Sequence, residues 1–244
     1  MGMQRVFGKM QGKVRMRRMV VIGALGLLAA CGGKAPEAPA GQASAAASVA
    51  PSVTPSVAPQ GPVVRIVALG DSLFAGYGLR AEQAYPVRLE AALRARGINA
   101  QVVNAGVSGD TTEDGLARLD FTLGAGKADL VVISLGGNDM LRGLPVARTR
   151  ANMEAILTGL EKRKVPVVVM GMLAAPNMGP DYARDFNAVF PAMAKAHHAA
   201  LVPFFLKAIY QRADLQLPDH IHPTAPGVEA MVKDTVDVVA GALP

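Results

Sequence analysis

The amino-acid sequence contains very few cysteine and aromatic residues. Among 244 residues there is one cysteine and no tryptophan, and aromatic side chains make up 5% of the chain. A single cysteine cannot close an intramolecular disulfide, which excludes the class of small secreted domains that disulfides hold together. That cysteine, Cys31, lies in the N-terminal region, so the rest of the chain has no thiol nucleophile. Its chemistry must depend on another residue type.

Acidic residues are missing from the first 31 positions, and this asymmetry accounts for the formal net charge of +6. Six basic residues precede Cys31, whereas from Pro62 onward 18 basic residues balance 18 acidic ones. A protein surface that binds nucleic acid needs a local excess of Lys and Arg to neutralise phosphates. The balanced part of the chain lacks that excess, so we expect no nucleic-acid partner.

The sequence also lacks a hydrophobic run long enough to span a membrane. The longest candidate, residues 19–30, has twelve residues, whereas a spanning helix needs about 20. It follows a basic segment, as the apolar part of a signal peptide does. It ends in Leu28-Ala29-Ala30-Cys31-Gly32, which resembles the lipobox of bacterial lipoproteins.

In a lipobox the cysteine is lipidated and becomes the mature N-terminus. The resemblance therefore implies that residues 1–31 are a lipoprotein signal peptide with its lipobox. The protein would be exported to the bacterial cell envelope, anchored in a membrane through Cys31 and facing the periplasm. The alternative is an ordinary cleavage site with small residues and an incidental cysteine. Residues 32–61 consist mainly of Ala, Pro, Ser, Gly and Val without periodicity, which predicts a disordered linker.

From residue 62 to residue 244 the chain changes to short apolar runs that alternate with amphipathic segments. Runs rich in Val, Ile and Leu predict strands at residues 63–69, 101–104, 130–135, 165–170 and 201–204. The spacing of apolar residues predicts helices near residues 85–96, 112–123, 147–162, 182–197 and 225–242. Because parallel strands need crossover connections, this alternation predicts an α/β domain with a parallel five-stranded sheet and helices on both faces.

Polar clusters follow three of the predicted strands, and a fourth cluster lies near the C-terminus. They are Gly70-Asp71-Ser72-Leu73, Asn104-Ala105-Gly106-Val107-Ser108-Gly109-Asp110-Thr111, Gly136-Gly137-Asn138-Asp139 and Asp219-His220-Ile221-His222-Pro223. In an open α/β sheet the ligand site lies beyond the carboxyl ends of the strands, and we expect all four clusters at this edge. Each cluster alone is ordinary turn chemistry. Together and in this order, they resemble the four sequence blocks of the SGNH, or GDSL, hydrolase family.

Further segments are similar to one subgroup of that family. They are Ala75-Gly76-Tyr77, Val103-Asn104-Ala105, Gly115-Leu116-Ala117-Arg118-Leu119 and Leu141-Arg142-Gly143. They resemble the bacterial periplasmic thioesterases, lysophospholipases and arylesterases, and the resemblance extends over residues 63–243. It implies the three-layer, flavodoxin-like fold of SGNH hydrolases, with strand order 2-1-3-4-5, and an activity that cleaves acyl esters or thioesters.

The residue types in these blocks suit nucleophilic catalysis. A serine hydroxyl is a weak nucleophile at neutral pH and needs an adjacent base, which a third group orients. Ser72 is the expected nucleophile, His222 the base, and Asp219 the carboxylate that orients the base. Asp219 and His222 are three residues apart, a spacing that lets the carboxylate fold back on the imidazole.

The tetrahedral intermediate of ester cleavage carries an oxyanion that needs preorganised hydrogen-bond donors. The family pattern assigns this role to the backbone N–H groups of Ser72 and Gly109 and to the side-chain amide of Asn138. Glycine suits such a position, because the lack of a Cβ lets its backbone approach the substrate closely. The alternative for Asn138 is a turn residue that bonds its own loop.

Other polar residues near these blocks have simpler interpretations. The residues expected to organise the loops are Asp71, Asn104, Asp110 and Asp139. His197 and His198 end a predicted helix, where a cation suits the helix dipole, and a His pair without nearby carboxylates is poor support for a metal site. His220 is either an alternative base or a solvent-facing ring, and we favour the ring.

Apolar residues that follow the strands are candidates for an acyl pocket, although apolar loop residues commonly serve packing alone. They are Leu73, Met140, Leu141, Leu144, Pro176 and Met178. By resemblance we expect substrates with acyl chains of short to medium length, as esters, thioesters or lysolipids. No metal ion or organic cofactor is implied.

The leading hypothesis is therefore a serine esterase of the GDSL type that works through an acyl-serine intermediate. Two alternatives use the same scaffold. One is a carbohydrate O-deacetylase or an acyltransferase, which the partition of the acyl group between water and an alcohol acceptor would distinguish. The other is a non-catalytic envelope lipoprotein, which is disfavoured because each catalytic position has a competent residue type.

Overall fold

Five parallel strands form the sheet in the computed structural model, which describes residues 58–124 and 126–244. The strands are β1 (Gln60–Gly70), β2 (Ile98–Gly106), β3 (Leu130–Ser134), β4 (Val167–Met170) and β5 (Ala200–Val202). Their order across the sheet is β2-β1-β3-β4-β5, and every neighbouring pair is parallel. The predicted parallel sheet and its strand order are confirmed.

Burial explains why these segments form a parallel sheet. All residues of β3 and β4 are buried, as are the last five residues of β1. Such continuous burial is typical of parallel strands with helices on both faces. Gly70, at the end of β1, lies in register with Gly106 of β2 and with Ser134 of β3. The three loops that follow these strands therefore begin side by side.

Helices cover both faces of the sheet. They are α1 (Ser72–Ala75), α2 (Tyr85–Ala95), α3 (Thr112–Ala117), α4 (Leu119–Leu123), α5 (Gly137–Leu141), α6 (Val146–Lys162), α7 (Pro180–Asn187), α8 (Val189–Ala196) and α9 (Ala225–Gly241), with short 3₁₀ helices at Ala81–Gln83 and Pro176–Met178. α2 packs against α9, whereas α6 packs against α3 and α8. The connection from β1 to β2 runs towards one edge of the sheet, and the later connections run towards the other edge. Because crossover connections are right-handed, these two sets of connections lie on opposite faces of the sheet. The three-layer arrangement agrees with the prediction.

Two predicted helices are each divided in the structure. The segment predicted at 182–197 forms α7 and α8, which meet at Ala188. Pro191 explains this division, because it has no N–H to donate to the carbonyl four residues earlier and its ring crowds that carbonyl. The segment predicted at 112–123 forms α3 and α4, which meet at Arg118.

The division at Arg118 coincides with long-range contacts of its side chain. The guanidinium donates hydrogen bonds to the carboxylate of Asp110 and to the carbonyl of Gly70. These contacts depend on tertiary structure, so the apolar periodicity of the segment does not encode the turn.

The strand ends also differ from the predicted ones. β5 ends at Val202 and not at residue 204, because Pro203 lacks the N–H that a strand donates to its neighbour. β1 begins at Gln60, which pairs with Ile98, so the folded domain starts within the last residues of the predicted linker. The rest of the predicted linker that precedes residue 58 lies outside the described residues, as do the predicted signal peptide and Cys31. In the part of the chain that the structure describes, no helix is both long and apolar enough to cross a membrane.

Candidate active site

Ser72 lies immediately beyond the end of β1, as the first residue of α1. Asp71 caps this helix, because its Oδ1 accepts a hydrogen bond from the N–H of Leu73 at 3.0 Å. The end of β2 passes close beside α1, where a Cβ on Gly106 would lie 2.3 Å from the backbone nitrogen of Ala75. Only glycine fits there without displacing the backbone, so the end of β2 helps to fix the helix that carries Ser72.

His222 and Asp219 lie in the loop that precedes α9. The backbone N–H of Leu217 donates to the carbonyl of His222 at 2.7 Å and closes this loop. Oδ1 of Asp219 accepts the backbone N–H groups of Ile221 and His222, both at 2.9 Å. Aspartate is suited to such a turn, because its short side chain can bond the backbone two residues further on. The loop therefore holds the carboxylate beside the imidazole.

The three residues predicted as a catalytic triad are in direct contact. Nε2 of His222 lies 2.8 Å from Oγ of Ser72, and Nδ1 lies 2.7 Å from Oδ2 of Asp219. Both distances are ordinary for hydrogen bonds. Ser72 and His222 are 150 positions apart in the sequence, so the fold brings them together. A continuous hydrogen-bonded chain runs from the hydroxyl to the carboxylate.

The surroundings of Asp219 favour its ionised form. Burial acts to raise its pKa, but the backbone N–H groups of His222 and Ile221 and the His222 ring donate to its oxygens and outweigh that effect. The resulting pKa lies below the ordinary value for aspartate. A carboxylate that stays negative at neutral pH can hold the imidazole in one tautomer and stabilise an imidazolium.

The residues predicted to bind an oxyanion lie in the loops after β2 and β3 and beside Ser72. Nδ2 of Asn138 donates to the carbonyl of Asp110 at 2.9 Å, and an amide nitrogen carries a second hydrogen that this contact does not use. Gly109 has φ +91°, a left-handed conformation that favours glycine. Among residues 58–124 and 126–244, the backbone N–H groups of Ser72 and Gly109 meet no hydrogen-bond acceptor.

A cavity of about 420 Å³ opens beside Ser72, and Asn138 and His222 are also part of its wall. The predicted pocket residues that line it are Leu73, Met140, Leu141 and Pro176. The prediction was wrong for Leu144 and Met178, which are partly buried but are not in this wall. The Leu144 carbonyl instead accepts the hydroxyl of Tyr182 at 3.2 Å, and Met178 ends a 3₁₀ helix.

Further apolar residues of the wall were missed by the sequence analysis. They are Met172, Leu173, Ala174, Ala175, Phe204, Leu206, Tyr210 and Ile221. All except Ile221 follow β4 or β5, so the rule that ligands bind beyond the carboxyl ends of strands could have identified them.

Comparison with known proteins identifies the family. The sequence profile of the GDSL-like lipase/acylhydrolase family matches residues 68–230. The chain belongs to this family. The arylesterase of Vibrio mimicus is 36% identical over 159 residues, which are 65% of this chain and 80% of the relative. Esterase TesA of Pseudomonas aeruginosa is 39% identical over 158 residues, which are 65% of this chain and 79% of the relative.

Solved structures lead to the same conclusion. The crystal structure of AlinE4, an SGNH-hydrolase family esterase, is 52% identical and covers 76% of this chain and 99% of its own, with a TM-score of 0.64. The crystal structure of TesA is 35% identical and covers 73% of this chain and 99% of its own, with a TM-score of 0.70. The protein is thus a GDSL-type serine esterase, a hydrolase that acts on ester bonds, and the predicted fold is confirmed.

Three aspartates fix the conformation of the loops in the esterase through hydrogen bonds and an ion pair, as predicted from the sequence. Asp71 is 2% exposed, and burial is the main cause that raises its pKa to about 7. Asp110 pairs with Arg118 at 2.6 Å. The buried carboxylate of Asp139 accepts the backbone N–H and the hydroxyl of Thr112 at 2.8 and 2.5 Å. Asp139 therefore links the start of α3 to the helix that carries Asn138.

Asn104 has the structural role that was predicted for it. Its Nδ2 donates to the carbonyl of Phe74 at 2.9 Å, and its Oδ1 accepts the N–H of Gly106 at 2.9 Å. The side chain therefore fastens the end of β2 to α1.

Within residues 58–124 and 126–244, His222 is the only histidine that hydrogen-bonds the serine hydroxyl. His220 is exposed and is part of the wall of the cavity beside Ser72, but the ring that contacts the hydroxyl belongs to His222. The ring nitrogens of His197 lie 3.1 Å from Glu154 and 3.3 Å from Glu161. The expectation that no carboxylate lies near this histidine was wrong, because α6 supplies both glutamates from a distant part of the sequence.

One aromatic contact in the site was not predicted. Tyr77, which follows α1, lies against the ring of His222 with the two centroids 4.5 Å apart and the planes inclined at 37°. Gly76 ends α1 in a left-handed conformation with φ +82° and redirects the chain at that point. No local signal could have identified this contact, because Tyr77 and His222 lie near opposite ends of the domain.

Proposed function

We propose that this esterase cleaves its substrates through an acyl-serine intermediate, with Ser72 as nucleophile, His222 as general base and acid, and Asp219 as the orienting carboxylate. The observation that carries the proposal is the hydrogen-bonded chain from Ser72 Oγ through the imidazole to Asp219, with distances of 2.8 and 2.7 Å. A serine next to an oriented imidazole is the arrangement that acyl transfer needs.

In the first half of the reaction, Oγ of Ser72 attacks the carbonyl carbon while its proton passes to Nε2 of His222. Asp219 stabilises the imidazolium through Nδ1. When the tetrahedral intermediate collapses, the imidazolium gives its proton to the leaving alcohol or thiol and the acyl group stays on Ser72. A water molecule then attacks the acyl-serine with His222 as base, which releases the acid and restores the hydroxyl.

The oxyanion of each tetrahedral intermediate would accept hydrogen bonds from Ser72 N, Gly109 N and Nδ2 of Asn138. Neither backbone N–H group has a hydrogen-bond acceptor in the described part of the chain, which supports this assignment. So does the contact between Asn138 and the carbonyl of Asp110, because it fixes the amide while one hydrogen stays available. Donors that are held in place before the reaction cost no reorganisation when charge develops.

The substrates that we propose are small esters or thioesters with an apolar acyl chain of short to medium length. The cavity beside Ser72 has mainly apolar walls and a volume of about 420 Å³, which is within the usual range for small-molecule sites. Relatives are named arylesterase, esterase, and thioesterase 1/protease 1/lysophospholipase L1, the last in Escherichia coli. Aryl esters, acyl thioesters and lysophospholipids are therefore the classes to test.

We also propose that the esterase is exported and held at a membrane of the bacterial envelope through a lipid on Cys31. The support comes from the basic segment, the twelve-residue apolar run and the lipobox-like Leu28-Ala29-Ala30-Cys31-Gly32. The Pro-rich linker would hold the domain away from the membrane surface.

The experiment that tests the reaction compares the purified protein with its Ser72→Ala variant on p-nitrophenyl acetate, butyrate and octanoate. We expect hydrolysis by the wild type only, with kcat/KM changing systematically with chain length. Matched thioesters and a lysophospholipid, assayed in parallel, rank the substrate classes. If the wild type is no faster than the variant on every substrate, the proposed reaction is wrong.

A further inference from the structure

The guanidinium of Arg118 contacts three separate acceptors. Nε donates to Oδ2 of Asp110 at 2.6 Å, one terminal nitrogen donates to the carbonyl of Gly70 at 2.9 Å, and the other donates to the hydroxyl of Thr122 at 3.2 Å. The side chains of Arg118 and Asp110 are 20% and 12% exposed. The pair is therefore largely shielded from solvent, unlike the surface ion pairs of the protein.

Two of these acceptors belong to the loops that carry the proposed oxyanion donors. Gly70 ends β1, two residues before Ser72. Asp110 directly follows Gly109, and its carbonyl accepts the amide of Asn138 at 2.9 Å. The Arg118 guanidinium thus connects the segment that carries Ser72 to the loop after β2. That loop contains Gly109, and its Asp110 carbonyl accepts the amide of Asn138.

We propose that Arg118 is a positioning residue, which sets the distance between the N–H of Ser72 and the donors of Gly109 and Asn138. This proposal rests on the proposed function, because it assumes that these three groups bind the oxyanion. Arginine is suited to the task, since its planar fork presents several donors in fixed directions at once. Lysine has a single ammonium on a flexible stem and cannot reproduce the fork.

The effect on rate follows from the geometry. A displacement of about 1 Å in a catalytic arrangement can lower the rate about 10²-fold, and the loss of one oxyanion donor lowers kcat by about 10² to 10³. We expect Arg118→Gln to lower kcat by about 10²-fold. Arg118→Lys, which keeps a charge next to Asp110, should lower it by about tenfold. KM should change little, because the oxyanion exists only in and near the transition state.

The experiment measures kcat and KM for p-nitrophenyl butyrate with wild type, Arg118→Gln and Arg118→Lys. The full chain is used, and each kcat is divided by the concentration of sites that a fluorophosphonate titrates. Arg163→Gln is the matched control, because Arg163 pairs with Asp120 between α4 and α6 on the exposed surface. It should keep the wild-type kcat. Arg118→Ala is assayed with and without added guanidinium ion, which should restore part of the lost kcat.

The results separate the possible roles of Arg118. The proposal is supported if both variants have a lower kcat per titrated site and an unchanged KM, and if Arg118→Gln loses more kcat than Arg118→Lys. Rescue of Arg118→Ala by guanidinium supports it as well. A wild-type kcat per titrated site, with a loss of thermal stability alone, overturns it and leaves Arg118 a purely structural residue. Arg118→Lys decides the matter if Arg118→Gln does not fold. A Ser72→Ala variant that stays active would instead refute the proposed function itself.

Discussion

The phenol ring of Tyr77 lies against the imidazole of His222, with the ring centroids 4.5 Å apart. Tyr77 is 54% exposed, so this contact is not part of the hydrophobic core. A cation near an aromatic face is attracted by the ring quadrupole, with about 0.5 to 1 kcal/mol at exposed sites. The imidazolium that forms transiently in the proposed mechanism would be attracted to the Tyr77 ring in this way.

We expect Tyr77→Leu to lower kcat by about two- to fivefold, which corresponds to that energy, whereas Tyr77→Phe should keep the wild-type rate. Steady-state hydrolysis of p-nitrophenyl butyrate, with each kcat divided by the concentration of titrated sites, measures both variants. A wild-type kcat in Tyr77→Leu would contradict the prediction and leave Tyr77 a surface residue without an effect on the rate.

Ser72→Ala should abolish covalent labelling by a fluorophosphonate and leave the fold intact by circular dichroism. The reason is that the label reports the activated hydroxyl, which His222 contacts at 2.8 Å. Ser108→Ala is the control, because this exposed serine lies in the neighbouring loop after β2 and should not affect labelling. Persistent labelling of Ser72→Ala would place the nucleophile elsewhere.

Asn138→Ala should lower kcat by about 10² to 10³ with KM nearly unchanged, as for other side-chain donors to an oxyanion. Asn138→Asp should be at least as damaging, because a carboxylate repels the developing charge. The rate of the pre-steady-state burst measures the acylation step directly. A wild-type burst rate in Asn138→Ala would mean that the contact with Asp110 is the whole role of this amide.

Asp71→Asn should change how stability depends on pH. Burial raises the pKa of Asp71 from 3.8 to about 7 in the folded state. At a pH between these two values, the carboxyl is ionised in the unfolded chain but protonated in the folded protein. The carboxyl therefore contributes stability that is fully present below pH 3.8 and is lost as pH rises through about 7. The asparagine cannot ionise and should gain stability relative to wild type over this range, by about 4 kcal/mol at most. Urea unfolding at several pH values measures the difference, and parallel curves for the two proteins would contradict it.

Cys31→Ala should move the esterase from the membrane fraction to the soluble fraction of the envelope without changing kcat per titrated site. The linker separates the proposed anchor from the domain, so the two properties should be independent. Unchanged fractionation would exclude Cys31 as the lipidation site and favour a soluble periplasmic protein.

The sheet was predictable from the sequence, because each strand contains a short run rich in Val, Ile or Leu that is visible locally. The pairing of Asp219 with His222 was also predictable, since both lie in one short turn. The approach of His222 to Ser72 depended on the family resemblance, because nothing local connects positions so far apart. The turn at Arg118 and the Tyr77 contact were not predictable, because both arise from side chains that meet only after the sheet has formed.

The arrangement of the site along the chain has a practical consequence. The proposed nucleophile and all three proposed oxyanion donors precede β4 in the sequence, whereas the proposed base and its carboxylate lie together after β5. A cut in the segment between β5 and Asp219 would divide the protein into two fragments. The first would contain Ser72, Gly109 and Asn138, and the second would contain Asp219 and His222. Neither fragment could turn over an ester by the proposed reaction. The fold is therefore suited to a split reporter, in which ester hydrolysis returns only when two fused partners bring the fragments together.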